Sequence, residues 1–208
     1  MRLYLVRHAQ SEGNVRKILD TALPGPPLTE LGREQARSLA ERLAGEPVAA
    51  VYASEATRAR QTAEPLANAL SLDVEVLPGV HEVSVGDLEG RGDHEALELY
   101  AKTTHLWAQG ELNVALPGGE SGEQLRERYL AAVGELHARH HGRDETVVLV
   151  SHGGAIRFGA EWLADNVASE VADKGLLPNT GIVRLETTPR GGWRCLEWAG
   201  VSLDPPAN

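Results

Sequence analysis

The chain has 208 residues, 42% of them hydrophobic and 24% charged, with 20 Lys and Arg against 30 Asp and Glu for a formal net charge of −10. This is ordinary globular composition at a length suited to one domain, and the negative balance excludes a general nucleic-acid or anionic-membrane binder. No stretch approaches the ~20 apolar residues of a membrane span, and the single cysteine, Cys195, excludes an internal disulfide and a cysteine-based metal site.

Residues 2–6 (Arg-Leu-Tyr-Leu-Val) read as a short buried strand ending at Arg7-His8. Residues 20–27, with three prolines and a glycine, form a loop. A helix follows, with Thr29 as N-cap and Leu28, Leu31, Ala36, Leu39, Ala40 and Leu43 as its apolar stripe. Val48–Ala53 is a second strand. The helix expected from Ser54–Thr57 onward should kink or restart at Pro65. Leu72–Leu77 is a third strand, stopped by Pro78-Gly79. A helix around 93–108 leads into the Leu116-Pro-Gly-Gly119 loop. From Glu120 to Arg139 the periodicity is strongest, with Leu125, Tyr129, Ala132, Val133 and Leu136 on one helical face. Thr146–Val150 is a fourth strand, followed by Ser151-His152-Gly153-Gly154 and a helix over about 155–164. Gly181–Glu186 and Trp193–Trp198 read as a hairpin.

This alternation predicts an α/β fold, a three-layer α/β/α sandwich with a mostly parallel central sheet, helices on both faces and a C-terminal antiparallel edge hairpin. In such sheets ligands sit beyond the carboxyl ends of the strands. Those ends carry Arg7 and His8, lead to Arg58 and to Glu82, and carry His152. Each residue alone has an ordinary explanation as a turn, a cap or a solvated charge. Together they suit a phosphate monoester: arginine forks hold phosphoryl oxygens, a neutral imidazole attacks phosphorus, and a carboxylic acid protonates the departing alkoxide. The second histidine steadies the equatorial oxygens, and no metal or other cofactor is required.

The stretch Leu5-Val-Arg-His-Ala-Gln-Ser-Glu-Gly-Asn14 resembles the signature of the histidine phosphatase superfamily, also called phosphoglycerate-mutase-like. Residues 27–36, 51–63, 82–90 and 148–154 resemble further family segments in the right order, with Pro-Asn-Thr (178–180) a weaker match. The resemblance implies that 1–208 is a single domain of this family, with a small cap or insertion at about 83–124. It implies His8 as the nucleophile that becomes phosphohistidine, with Arg7, Arg58 and His152 completing the phosphate pocket. Glu82 would be the general acid and then the base, and Asn14 would contact phosphate. Ala9 departs from the usual Gly.

Three functions follow as alternatives. A phosphatase acting on a small phosphorylated metabolite is favoured. A cofactor-dependent phosphoglycerate mutase is the alternative, but Gly13 stands where the related mutases carry a Trp. Residues 89–96 also replace their Glu-Arg-Tyr-Gly stretch, and only about 30 residues intervene before Gly-Gly-Glu (118–120). A non-catalytic binder of phosphorylated ligands is disfavoured because the whole set His8, Arg7, Arg58, Glu82 and His152 is present.

His137, His140 and His141 have a spacing that could hold a metal, but they are read as polar residues complementing a helix C-terminus. Arg91, His94, Tyr100, Lys102, His105 and Trp107, together with the Arg16–Pro27 loop, are candidate walls for the non-phosphate part of the substrate. The apolar start is too brief for a signal peptide, so a cytoplasmic location is expected. A homodimer is compatible with several helices or with the terminal edge strand.

Overall fold

A computed structural model describes residues 1–167 and 177–203. Its strands are β1 (Arg2–Arg7), β2 (Val48–Ala53), β3 (Val74–Val76), β4 (Thr146–Ser151), β5 (Ile182–Thr187), β6 (Trp193–Trp198) and β7 (Val201–Ser202). They form one sheet in the order β3-β2-β4-β1-β5-β6-β7. Strands β1 to β4 are parallel; β5 is antiparallel to β1 and β6 to β5, so β6 again runs with the first four. The expected hairpin is therefore real, and the two-residue β7, which has no sequence signature, extends it to the edge.

The alternation of side chains along β1 shows why both faces need cover. Leu3 and Leu5 join one core with Leu125, Tyr129, Val133 and Leu136 of α5 (Gly122–His140) and Ile156 and Phe158 of α6 (Gly153–Leu163). Tyr4 and Val6 join another, with Leu39 and Leu43 of α2 (Glu30–Leu43) and Ala63 and Leu66 of α3 (Thr57–Leu70). Successive strand residues point to opposite faces, so an unbroken apolar run buries itself only between two helical layers. No helix among the described residues is long and apolar enough to cross a membrane.

Three expectations need correction. α3 runs through Pro65 without restarting: the proline removes only the N–H that would reach the Gln61 carbonyl, and both residues are partly exposed. The third strand shrinks to Val74–Val76 because the Leu72 N–H is committed to the Ala67 carbonyl at the end of α3. Leu31 is half exposed, because the buried face of α2 runs through Gly32, Ala36, Leu39 and Leu43, one residue round from it. The sequence reading also missed α1 (Glu12–Arg16), although Ser11 and Asn14 form a reciprocal capping box there. The helix α4 (His94–Ala108), capped by Asp93, matches expectation.

Candidate active site

Four connections leave the carboxyl ends of the parallel strands and converge on one cleft. Arg7 is the last residue of β1 and His8 follows it, while His152 is the N-cap residue of α6, directly after β4. Arg58 opens α3 after β2, and Glu82 sits on the loop leaving β3. The cleft holds about 310 Å³ and is lined by Arg7, His8, Asn14, Arg58, Glu82 and Tyr100 among others.

His8 is buried, with its Nδ1 2.7 Å from the Ala9 carbonyl oxygen. A carbonyl only accepts, so Nδ1 carries the proton and the lone pair is on Nε2, which accepts from Arg58 Nε at 3.2 Å. Burial, reinforced by the Arg58 charge, lowers the His8 pKa well below 6.5 and keeps the ring neutral. His152 is fully buried, its ring centroid 5.2 Å from that of His8, and Ser54 Oγ holds its Nε2 at 2.6 Å. Burial, then Arg58 and His8, lowers its pKa too.

Three buried polar atoms around His8 have no hydrogen-bond partner: Arg7 Nε, Arg58 Nη1 and His152 Nδ1. The other arms of the two guanidinium groups are fixed, Arg7 Nη1 on the Leu177 carbonyl and Arg58 Nη2 on the Asp20 carbonyl. A buried donor without a partner costs about 1–3 kcal/mol, more when charged. Such a cluster is complementary to an anion with several acceptor oxygens. Burial lowers both arginine pKa values, but guanidinium remains charged at any working pH.

Glu82 lies across the cleft at the start of α6. Its Oε1 accepts from Val83 and Ala155 N–H, each at 2.9 Å, and its Oε2 from Gly154 N–H at 3.1 Å. Asn14 Oδ1 accepts from Ser11 N–H at 3.1 Å and from Asn179 Nδ2 at 3.3 Å, and that same Nδ2 donates to the His8 carbonyl at 2.9 Å. All six residues singled out in the sequence thus meet in one place.

Sequence reasoning missed the supports. Ser54 orients His152, and Thr62 accepts from Ala9 N–H while donating to the Arg58 carbonyl. From the Arg16–Pro27 loop, expected as a wall, Lys17 and Asp20 do line the cleft, and burial raises the Asp20 pKa. Of the candidate wall on α4, Tyr100 lines the cleft. Trp107 instead packs on Phe158 and donates to the Val114 carbonyl, while His94 is exposed and Arg91 pairs with Asp93. His140 is buried between Tyr52 and Glu145, away from His137 and His141, whose rings meet edge-on. Among the described residues no group of three or more His, Cys, Asp and Glu is placed to hold a metal ion.

Comparison with known proteins agrees with this geometry. Residues 3–200 match the model of the histidine phosphatase superfamily (branch 1). The chain is 32% identical over 204 residues to a metal-independent phosphoserine phosphatase of Arabidopsis thaliana, covering 96% of this chain and 82% of that protein. It is 32% identical over 213 residues to the PE-PGRS family protein PE_PGRS11 of Mycobacterium tuberculosis, covering 96% of this chain but 36% of that longer protein. A solved mycobacterial glucosyl-3-phosphoglycerate phosphatase superposes with a TM-score of 0.80 at 29% identity, over 95% of this chain and 98% of the other. Ordered motifs, strand-end geometry and a match over nearly the full length agree, and the chain belongs to the histidine phosphatase superfamily.

Proposed function

We propose that the chain is a phosphomonoester hydrolase that works through a phosphohistidine at His8 on a small phosphorylated metabolite. The observation that carries this is the set of unpartnered buried nitrogens, Arg7 Nε, Arg58 Nη1 and His152 Nδ1, in the cleft beside the His8 Nε2 lone pair. An incoming phosphoryl group takes the Arg58 Nε–H that occupies this lone pair in the free site, and Nε2 is then free to attack phosphorus. The N–P bond forms as the ester P–O bond breaks, and protonated Glu82 gives its proton to the departing alkoxide. Glu82 then removes a proton from water, the water oxygen attacks phosphorus, and the N–P bond breaks to restore His8. Fixed cations hold the equatorial oxygens throughout, with Asn14 a further contact.

Relatives are named as phosphatases of phosphoserine, of glucosyl-3-phosphoglycerate and of adenosylcobalamin/α-ribazole, each releasing an alcohol from its phosphate ester. The cleft extends past the cradle to Lys17, Asp20 and Tyr100, polar side chains suited to such an alcohol. Residues 1–208 act as one domain in which 83–124 supply one wall. The mutase alternative is disfavoured because Gly13 stands where the related mutases carry a Trp, and a side chain there would require Asp20 to move, since a Cβ would come within 2.2 Å of its Oδ2. The net charge of −10 and the lone cysteine support a cytoplasmic enzyme that does not bind nucleic acid.

Labelled phosphate should transfer from substrate to the protein in an acid-labile bond, and His8→Ala should abolish both the label and turnover. Chelator should leave the rate unchanged. Interconversion of 3- and 2-phosphoglycerate faster than phosphate release would overturn the hydrolase reading.

A further inference from the structure

Glu82 must hold its carboxyl across the cleft from a loop, an element that seldom fixes a side chain well. The structure supplies an anchor that no motif assigned to catalysis includes. Arg128, on α5, donates through Nη1 to the carbonyls of Gly79 at 2.8 Å and His81 at 2.9 Å, and through Nη2 to that of Glu82 at 3.0 Å. The same guanidinium is gripped by Glu120, Nε to Oε2 at 2.9 Å and Nη2 to Oε1 at 2.6 Å. Glu120 completes the clamp from the other side, its Oε1 accepting from Ser84 N–H at 2.8 Å and its own N–H donating to the Ser84 carbonyl at 3.0 Å. The main chain is therefore tied on both sides of residue 82, and both ion-pair side chains are largely buried, 18% and 10% exposed.

Stability alone does not call for this arrangement. α5 is already anchored in the core through Leu125, Tyr129, Val133 and Leu136. A buried ion pair is often replaceable by apolar residues without loss of stability, whereas a planar fork bonding three carbonyls delivers geometry. The carbonyls it holds belong to the residue proposed as acid and its immediate neighbours.

We infer that Arg128 and Glu120 form a positioning unit that fixes the backbone of Glu82 for proton transfer to the leaving group. This rests on the reading of Glu82 as general acid. The two claims separate in an experiment that varies the leaving group. Glu82→Gln should slow an alkyl phosphate far more than p-nitrophenyl phosphate, whose phenolate leaves without a proton; equal losses would remove the acid role itself. Arg128→Met should reproduce that selectivity, lowering kcat about 10- to 100-fold on the alkyl phosphate and less than about 3-fold on the aryl one. Inhibition by inorganic phosphate, which reports the cradle, should stay within about 2-fold. Arg128→Lys should recover part of the loss. In a Glu82→Gln background Arg128→Met should cost little more, because the group it positions is gone. A folded Arg128→Met enzyme that loses equally on both substrates, or whose loss adds in full to that of Glu82→Gln, would overturn the positioning role. If Arg128→Met does not fold, Glu120→Gln decides, since it keeps the arginine on its carbonyls and weakens the hold of Glu120 on Arg128 and Ser84. It should show the same selectivity at about 3- to 10-fold, and an unselective loss would overturn the inference.

Discussion

Two neutral imidazoles buried beside a guanidinium make the site sensitive to acid. Burial, with Arg58 behind it, lowers the pKa of His8 and His152 well below 6.5. As pH falls through 6.5 the unfolded chain binds those protons and the native chain does not. Their contribution to stability is therefore complete above 6.5 and is lost below it, at about 1.4 kcal/mol per pH unit for each ring. Urea unfolding from about pH 6.5 to about pH 5.5 should show a shallower loss in His8→Asn than in the parent, by about 1 kcal/mol. For the same reason, the acid limb of kcat/KM set by His8 should lie below pH 6.5. The site residues were legible because they sit in short motifs at strand ends. Ser54 and Thr62 were not, because a serine bonded to a histidine 98 positions away leaves no local pattern. Arg128 and Glu120 were illegible likewise, because the bonds they make reach back to residues 79–84 and leave no mark on the helical periodicity around them.

Helices α5 and α6 meet where glycine permits them. A Cβ on Gly159 would come within 2.1 Å of Tyr129 Cε1, and Tyr129 is fully buried, so the ring cannot swing into solvent. Gly159→Ala should therefore destabilise the fold by about 2–3 kcal/mol, measured by thermal or urea unfolding, whereas Gly134→Ala, with open space around it, should be neutral or slightly stabilising. Because α6 begins at the cleft, the first substitution should also lower activity. At this scale the periodic segments were read almost to the residue: Val48–Ala53 and the 93–108 helix need little adjustment. What failed was set by neighbours rather than by the segment. Pro65 fits a helix on a partly exposed face, and the Leu72 N–H is diverted to a cap.

The two larger cores among the described residues share no side chains, one under α5 and α6 and one under α2 and α3 on the other face of the sheet. Val133→Ala in the first and Val51→Ala in the second should each cost about 2 kcal/mol, and the double variant should lose the sum to within about 0.5 kcal/mol. A coupling larger than that in urea unfolding would mean that the sheet transmits strain between its faces. The layered architecture followed from alternating apolar strands and amphipathic helices, but the position of β5 beside β1 did not, since strand order is decided by long-range pairing. That pairing carries a consequence for synthesis. The Arg7 N–H donates to the Gly181 carbonyl and the Arg7 carbonyl accepts from Thr180 N–H, each at 3.0 Å, so the strand that leads to His8 is closed by a segment translated long after it. A ribosome-bound nascent chain that has exposed every motif up to His152 still has β1 bare along one edge, where it offers a template for misassembly. The enzyme should therefore gain no activity in stages: stalled chains ending before about residue 180 should be inactive and chaperone-bound, and competence should arrive abruptly once β5 emerges.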